Sequence, residues 1–360
     1  MRKKIYFYYP NIINDGVKRT FEVYYNYLKK KYNVILITNS NKKIIKNISK
    51  IKIIEPEFNF IKKFKILNSI LCTIKIIFLK QRKDIIFSLD NHFYLLILKL
   101  IGFNFKLIIR TPNPIFNIYN KHELKFFKNK GFTNKFEIYF YKLADLVITY
   151  SKQNQLSLIK KFQVKNAEHV NNFFEKKKQL KKIKKKQYNI FFIGRYVDSK
   201  DPIFYLKNMI KLFNKVNIKV YLLGEGYLNP ELKSIAKNYK KNIKFLKFTN
   251  NPFKKYQKKI DLLCVTSKFD GTPNVLGEAI AYSVPCVAPK HVGLANLLLD
   301  NGKSGYLYSQ GNDKSFQSKV ILALKNYKFT IKKTKIALKG LESFSKKKTL
   351  SKLDYLISKI

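Results

Sequence analysis

Residues 267–285 read SKFDGTPNVLGEAIAYSVP. The apolar run DLLCVTS, from Asp261, leads into this stretch, and CVAPK, from Cys286, leads out of it. Between them, Gly271-Thr272-Pro273-Asn274 has the composition of a tight turn, and Val275 to Tyr282 carries a helix-compatible pattern. Strand, turn, helix start and strand in that order belong to a parallel sheet, whose turns at the carboxyl edge are where ligands bind. The first-turn amides of a helix lack intrahelical partners and point outward, which suits an anion and phosphate above all. Asp270 stands before the turn and Glu278 within the helix, with seven residues between them. Taken alone, the turn is more simply a capped helix start followed by an exposed glutamate, because such turns are common.

Upstream, the same alternation of strand and helix continues. Strands are expected at Tyr188–Ile193, Val220–Leu223, Ile243–Phe248, Leu262–Val265 and Val284–Ala288. The first runs directly into Gly194-Arg195, and Lys200 follows five residues after the arginine. A guanidinium fork beside an ammonium suits a diphosphate; the plainer reading is an exposed loop with two surface cations. Gly224-Glu225-Gly226 marks a turn after the second strand. The amino-terminal half repeats the pattern, with strands at Lys4–Tyr9, Val34–Thr38, Ile51–Ile54, Ile85–Ser88, Lys106–Ile109 and Leu146–Tyr150. Helical spacing covers Phe21–Leu28, Ile61–Phe78, Phe93–Ile101 and Lys135–Leu143. Strands alternating with helices predict an α/β chain with two doubly wound parallel sheets. Gly16 falls in the first crossover loop, His92 follows the Ile85–Ser88 strand, and Arg110 ends the next one. A lone histidine is more often structural, and a single loop glycine is as easily a plain turn. Between Lys176 and Lys186 stand eight lysines, a run that repels itself and reads as a solvated linker. The expected domains are therefore 1–175, a linker 176–187, 188–340, and a terminal helix 341–360.

With 360 residues, 46% of them hydrophobic, the chain is long enough for two globular domains. Its formal charge is +51, with 73 lysines and arginines against 22 acidic residues. Only five of those cations are arginines, which makes Arg110 and Arg195 conspicuous. Part of the lysine excess fits a low-GC genome, yet the field still draws the chain to anionic surfaces. Cys72, Cys264 and Cys286 are odd in number, far apart and set in apolar runs, so they read as buried thiols in a reducing compartment. No secretory signal and no apolar run long enough to span a bilayer is found, which makes a cytoplasmic protein the simplest expectation.

The D-x7-E pair around Gly271-Thr272-Pro273-Asn274-Val275-Leu276, the later Val284-Pro285-Cys286-Val287, and Gly194-Arg195 with Lys200 together resemble the donor-site signatures of the retaining nucleotide-sugar glycosyltransferases of family 4. The resemblance is strong from Phe191 to Leu307 and loose before Leu143. Departures are Asp270 where the family has glutamate, a thinned glycine loop at Gly16, Lys247 in place of a glycine, and Leu294 and Asn296 after Gly293. What the resemblance implies is a GT-B architecture: two Rossmann-like halves facing a cleft, with the last helix crossing back. By the same resemblance Arg195 and Lys200 neutralise the nucleotide diphosphate, helped by Gly194 and by the backbone of Gly271, Thr272, Pro273, Asn274 and Val275. Glu278 would bind ribose hydroxyls, Asp270 sugar hydroxyls, and Phe248 would lie by the base. Gly16 would approach the donor, His92 the transferred sugar, and Arg110 the acceptor. No cofactor is implied beyond the nucleotide sugar as co-substrate, and no metal, since no D-x-D occurs. The implied acceptor is a saccharide or lipid-linked saccharide, met at an anionic membrane surface, in envelope polysaccharide or lipopolysaccharide synthesis. A GT-B epimerase or hydrolase is the alternative. A nucleic-acid-binding protein rests on charge alone, because no recognition helix, zinc spacing or RNP-type motif is found, so no nucleic-acid partner is expected.

Overall fold

The computed structural model describes residues 2–12, 16–40, 52–55, 64–79, 84–111, 137–177, 183–268, 270 and 272–360. The chain divides into two compact units, Met1–Asn172 with Thr349–Ile360, and Phe173–Lys348.

In the first unit the elements are β1 (Lys4–Tyr8), α1 (Gly16–Leu28), β2 (Asn33–Ile37), β3 (Lys52–Ile54), α2 (Lys65–Leu79), β4 (Ile85–Ser88), α3 (Phe93–Leu100), β5 (Lys106–Arg110), β6 (Leu146–Thr149), α4 (Lys152–Phe162) and β7 (Ala167–His169). All seven strands run parallel in the order β3-β2-β1-β4-β5-β6-β7. Side chains alternate faces along a strand, and both faces here are apolar, as a sheet covered on both sides requires. Ile5 and Phe7 pack with Phe21 and Tyr24 of α1, whereas Tyr6 and Tyr8 face Cys72 and Ile76 of α2 and Leu95 of α3. The Phe7 ring stacks on Phe87 at 4.9 Å and meets Phe21 edge-on at 5.3 Å.

In the second unit the elements are β8 (Tyr188–Ile193), α5 (Pro202–Ile210), β9 (Ile218–Leu223), α6 (Asn229–Ile235), β10 (Ile243–Leu246), α7 (Pro252–Tyr256), β11 (Leu262–Cys264), α8 (Asn274–Ala281), β12 (Cys286–Pro289), α9 (Ala295–Leu298), β13 (Tyr306–Tyr308), α10 (Asp313–Lys325) and α11 (Tyr327–Gly340). Its six parallel strands run β10-β9-β8-β11-β12-β13. Ile190 and Phe192 face α5 and α10, and Phe191 faces the layer built by α8 and α11. Both units are Rossmann-like α/β domains, the class expected from the alternating pattern.

The last helix, α12 (Lys346–Ser358), places Leu350, Leu353, Leu356 and Ile357 at helical spacing in the core formed by β1 and α1, so the chain ends in the unit where it began. Burying Leu353 fully contributes about 2 kcal/mol to that attachment.

The units divide ahead of the lysine run rather than within it. Phe174 is buried against Phe344, the Phe174 amide donates to the Phe344 carbonyl at 2.9 Å, and Lys177 donates to Ala281 at 2.9 Å. Those contacts fasten residues 173–177 to the second unit. Lys185 is likewise held, by Asp261 at 2.7 Å, and residues 178–182 of the run lie outside the described residues.

Candidate functional site

Strand order reverses between β8 and β11, so the loops leaving those two strands diverge to opposite faces and leave a crevice at the carboxyl edge. Gly194 and Arg195 follow β8 directly. The Gly194 amide donates to Leu223 at 3.0 Å and the Tyr196 amide to Glu225 at 2.8 Å, so the loop continues the strand pairing alongside Gly224–Gly226. A Cβ on Gly224 would stand 1.9 Å from the Gly194 carbonyl oxygen, and one on Gly226 would stand 2.3 Å from that of Tyr196. Only glycines let the two loops lie this close. The pairing holds the Arg195 backbone still while its side chain stays exposed and makes no ion pair with a described residue.

Five residues on, Lys200 forms an ion pair with Asp270, which leaves the neighbouring strand β11; their side chains are 23% and 13% exposed. This part of the loop is fastened to the β11 exit by four further contacts. The Thr266 hydroxyl lies 3.0 Å from the carbonyl oxygens of both Lys200 and Asp201, Lys268 donates its amide to Ser199 at 3.0 Å, and the Lys268 ammonium pairs with Asp201 at 3.3 Å. Burial, opposed by Lys268, raises the Asp201 carboxyl above its ordinary value. Thr266, Lys268 and Ser199 were not singled out from the sequence. Thr266 is a polar residue at the end of an apolar run, which was the available signal.

After Asp270 the chain turns into α8. Thr272 and Pro273 are buried, and the Thr272 hydroxyl has no hydrogen-bond partner among the described residues. Pro273, at the cap, offers no side-chain oxygen to the first-turn amides. Asn274, Val275 and Glu278 are half-buried on α8, and Gly271 lies outside the described residues. Gly277 is needed for packing: a Cβ there would come within 2.3 Å of the Phe174 ring. The Tyr196 hydroxyl, beside the Gly194 loop, is also buried with no partner among the described residues, and burial raises its pKa. Two cations, a carboxylate, an orphaned hydroxyl and an uncapped helix start thus converge at the switch point of one sheet, an arrangement that can receive a polyanion carrying hydroxyl groups.

The other expected residues belong to other elements. Phe248 is past the end of β10, with its ring 53% exposed. Gly16, expected in a loop, is the first residue of α1. His92 and Arg110 belong to the first unit, at the ends of the paired strands β4 and β5. His92 is buried, its Nδ1 lies 2.6 Å from the Ser88 hydroxyl, and it is hydrogen-bonded to the Arg110 backbone. Burial lowers its pKa to about 3, so the ring is neutral near pH 7. Arg110 is buried as well. Its Nη2 donates to Asn172 at 2.7 Å and its guanidinium lies 5.7 Å from the centre of the Tyr24 ring. Both residues are held inside their unit instead of displayed at its surface. His169 bonds Asn171 at 2.7 Å, and the three cysteines are buried free thiols.

Comparison with known proteins gives these features a context. One relative is the N-acetylgalactosamine-N,N'-diacetylbacillosaminyl-diphospho-undecaprenol 4-alpha-N-acetylgalactosaminyltransferase of Campylobacter jejuni, 29% identical over 244 residues that make up 64% of either chain. This chain therefore matches just under two thirds of that relative's length. Among solved structures, Anabaena HepE in complex with UDP and glucose superposes with a TM-score of 0.79 at 14% identity, covering 99% of this chain and 100% of that one. The apo form of the lipopolysaccharide outer core galactosyltransferase WaaB superposes at 0.74 and 16%, with the same coverage. Similarity at that level speaks to fold, and the fold is that of GT-B glycosyltransferases. The family model for "Glycosyl transferases group 1" matches residues 173–339, starting at the residue where the second unit starts. The second unit is thus similar to that family nearly throughout its length.

Proposed function

We propose that this chain is a retaining glycosyltransferase of family 4. It moves a sugar from a UDP- or GDP-sugar to a saccharide or lipid-linked saccharide acceptor in cell-envelope polysaccharide or lipopolysaccharide biosynthesis. The observation that carries the reading is the convergence of Arg195, Lys200 and Asp270 at the β8–β11 switch point of the unit that matches the group 1 family.

Transfer forms a bond from an acceptor hydroxyl oxygen to the anomeric carbon as the bond between that carbon and the diphosphate oxygen breaks; negative charge builds on the departing nucleoside diphosphate, which takes up the hydroxyl proton. Arg195 and Lys200 stabilise that charge in place of a metal, with the first-turn amides of α8 at the same group. The Thr272 hydroxyl supplies one hydrogen bond to it, and Glu278 holds the ribose. Lys200 is shared: Asp270 orients it before the donor arrives and then turns its other lone pairs to the sugar hydroxyls. His92, neutral and with its ring already bonded, positions the acceptor-side strand end and does not exchange protons. The lipid-linked acceptor class is supported by the name of the Campylobacter relative. Such an acceptor places the protein at the inner face of the cytoplasmic membrane, and among the described residues no helix is long and apolar enough to cross one.

Thermal shifts against a panel of UDP-, GDP- and ADP-sugars test the donor site, with Arg195→Ala and Glu278→Ala alongside. One donor should raise the midpoint in the native protein and in neither variant. Transfer from that donor to a lipid-linked saccharide, with the product's anomeric configuration read by NMR, tests the reaction. A folded protein that responds to no sugar nucleotide refutes the proposal.

A further inference from the structure

Helix α2 has its polarity reversed. The face it buries carries Asn68, Ser69, Cys72, Thr73 and Ile76. Polar groups on that face are paired: the Tyr8 hydroxyl lies 2.9 Å from both the Ser69 carbonyl and the Thr73 hydroxyl, and Asn68 exchanges hydrogen bonds with Asn39 at 2.6 Å and Asn11 at 3.0 Å. The opposite face is apolar and open. Leu67 is 38% exposed, Ile74 44% and Phe78 82%, and at about 100° per residue the three fall within roughly 40° of one another. The adjacent helix α3, which packs against α2, adds Leu100 and Ile101 at its end, 55% and 64% exposed. A soluble surface helix normally points such a stripe inward, so a contiguous apolar face turned outward marks a docking surface.

Charge selects the occupant. The sequence from Lys62 to Lys83 holds seven lysines and arginines and no acidic residue. A second copy of this chain would carry the same net charge of +51 and be repelled. An anionic bilayer offers both missing halves, acyl chains for the stripe and negative headgroups for the cations that neighbour it in sequence. At 15 residues, α2 is about 22 Å long, which suits lying in the interface and is too short to span it.

We propose that the outer face of α2, with the end of α3, seats this protein on an anionic lipid bilayer, with Phe78 inserted at the boundary of headgroups and acyl chains. This deepens the membrane-side reading given above, but it rests on the α2 face alone. Neither donor nor acceptor enters its test, so a failure of transfer and a failure of docking are separate results.

The chain contains no tryptophan, so the Phe78→Trp variant of the full-length protein carries a single reporter. With vesicles of phosphatidylcholine and phosphatidylglycerol its emission should shift to the blue and be quenched by brominated acyl chains, while phosphatidylcholine alone leaves it unchanged. In flotation with the mixed vesicles, Leu67→Glu/Ile74→Glu should weaken binding at least about tenfold, and its thermal midpoint should stay native because both side chains are exposed. Blue emission before vesicles are added would mean the face is covered by the chain's own residues, and a shift that grows with protein concentration would mean a second copy. Either overturns the proposal, as does vesicle binding that leaves the reporter in water or survives the double substitution.

Discussion

Replacing Gly224 by alanine tests whether the G-x-G turn exists to hold the arginine loop. The added Cβ would lie 1.9 Å from the Gly194 carbonyl oxygen, and an ordinary contact begins near 3.4 Å. One of the two backbones must therefore retreat by about 1.5 Å, and Gly224 also sits at a φ of +155°, which side chains rarely adopt. The neighbour is backbone, tied to Leu223 through its own amide and to Glu225 through that of Tyr196 two residues on, so no flexible side chain can absorb the shift. Backbone strain and overpacking of this kind each cost about 1–3 kcal/mol, giving a loss of about 3 kcal/mol and a midpoint lowered by about 6–12 °C in a domain of this size. Arg195 moves with the loop, and a displacement of about 1 Å at a catalytic group costs about a hundredfold in rate. Thermal unfolding by circular dichroism and donor turnover are the two assays. Ala substitution at Gly311, where nothing lies within 4 Å but φ is +70°, controls for backbone strain without the clash. If Gly224→Ala retains both native stability and native donor turnover, the loop is not held by this contact and the reasoning fails.

Other expectations follow from the same geometry. Asp270→Asn removes the carboxylate that partly neutralises Lys200, so free nucleoside diphosphate should bind about 3–10-fold more tightly by calorimetry while sugar transfer falls; weaker binding of the diphosphate would show that Asp270 orients Lys200 more than it competes for it. His92 has a folded pKa lowered to about 3 against about 6.5 unfolded, so the unfolded state takes up the proton first and stability is lost as pH falls from about 6.5 toward 3. Glu137 acts oppositely, because burial raises its carboxyl to about 7 and protonation then favours the folded state. Only the difference between the native protein and His92→Gln isolates the histidine: it should shrink by about 2 kcal/mol between pH 7 and pH 5 in urea titrations, and a pH-independent difference would refute a buried neutral ring. Leu353→Ala leaves a cavity between α12 and the β1–α1 core and should cost about 2–4 kcal/mol of first-unit stability, measured by hydrogen exchange at α1 amides; unchanged exchange there would detach α12 from that core.

The fold was legible because parallel strands buried on both faces must be continuous apolar runs, and Tyr188–Ile193 and Ile85–Ser88 can be read as nothing else. Helix ends were less so. The helix expected from Phe21 begins at Gly16, since Val17 and Thr20 contribute one partly and one fully buried position that the apolar count alone passes over. Strand Ile243–Phe248 stops at Leu246, because β10 is an edge strand and only β9 is there to pair with it. The expected linker was read from charge repulsion, a property of the lysines themselves, whereas the division is set by where Phe174 finds a hole, and that hole is made by Gly277 a hundred residues on.

The same distinction runs through the candidate site. Arg195, Lys200 and Asp270 could be picked out one at a time, as residue types near strand ends. That Lys200 meets Asp270 could not, because the contact depends on β8 and β11 being neighbours in space with α5, β9, α6, β10 and α7 between them in the chain. Nor could the burial of Arg110: a guanidinium inside a domain looks, in sequence, like one at its surface. Its partners are the neutral Asn172 and the Tyr24 ring, so no carboxylate on a described residue offsets its charge at the end of β5. Arg195 and Arg110 thus have opposite designs. Arg195 is open, makes no ion pair with a described residue and is backed by a glycine turn, which suits a group that meets a charged ligand and lets it go; Arg110 is enclosed and held by Asn172 and Tyr24, which suits a group that stays in place. Exchanging lysine for each separates the two. Arg195→Lys keeps the charge but loses the fork, so it should weaken diphosphate binding while leaving unfolding native, and Arg110→Lys should do the reverse.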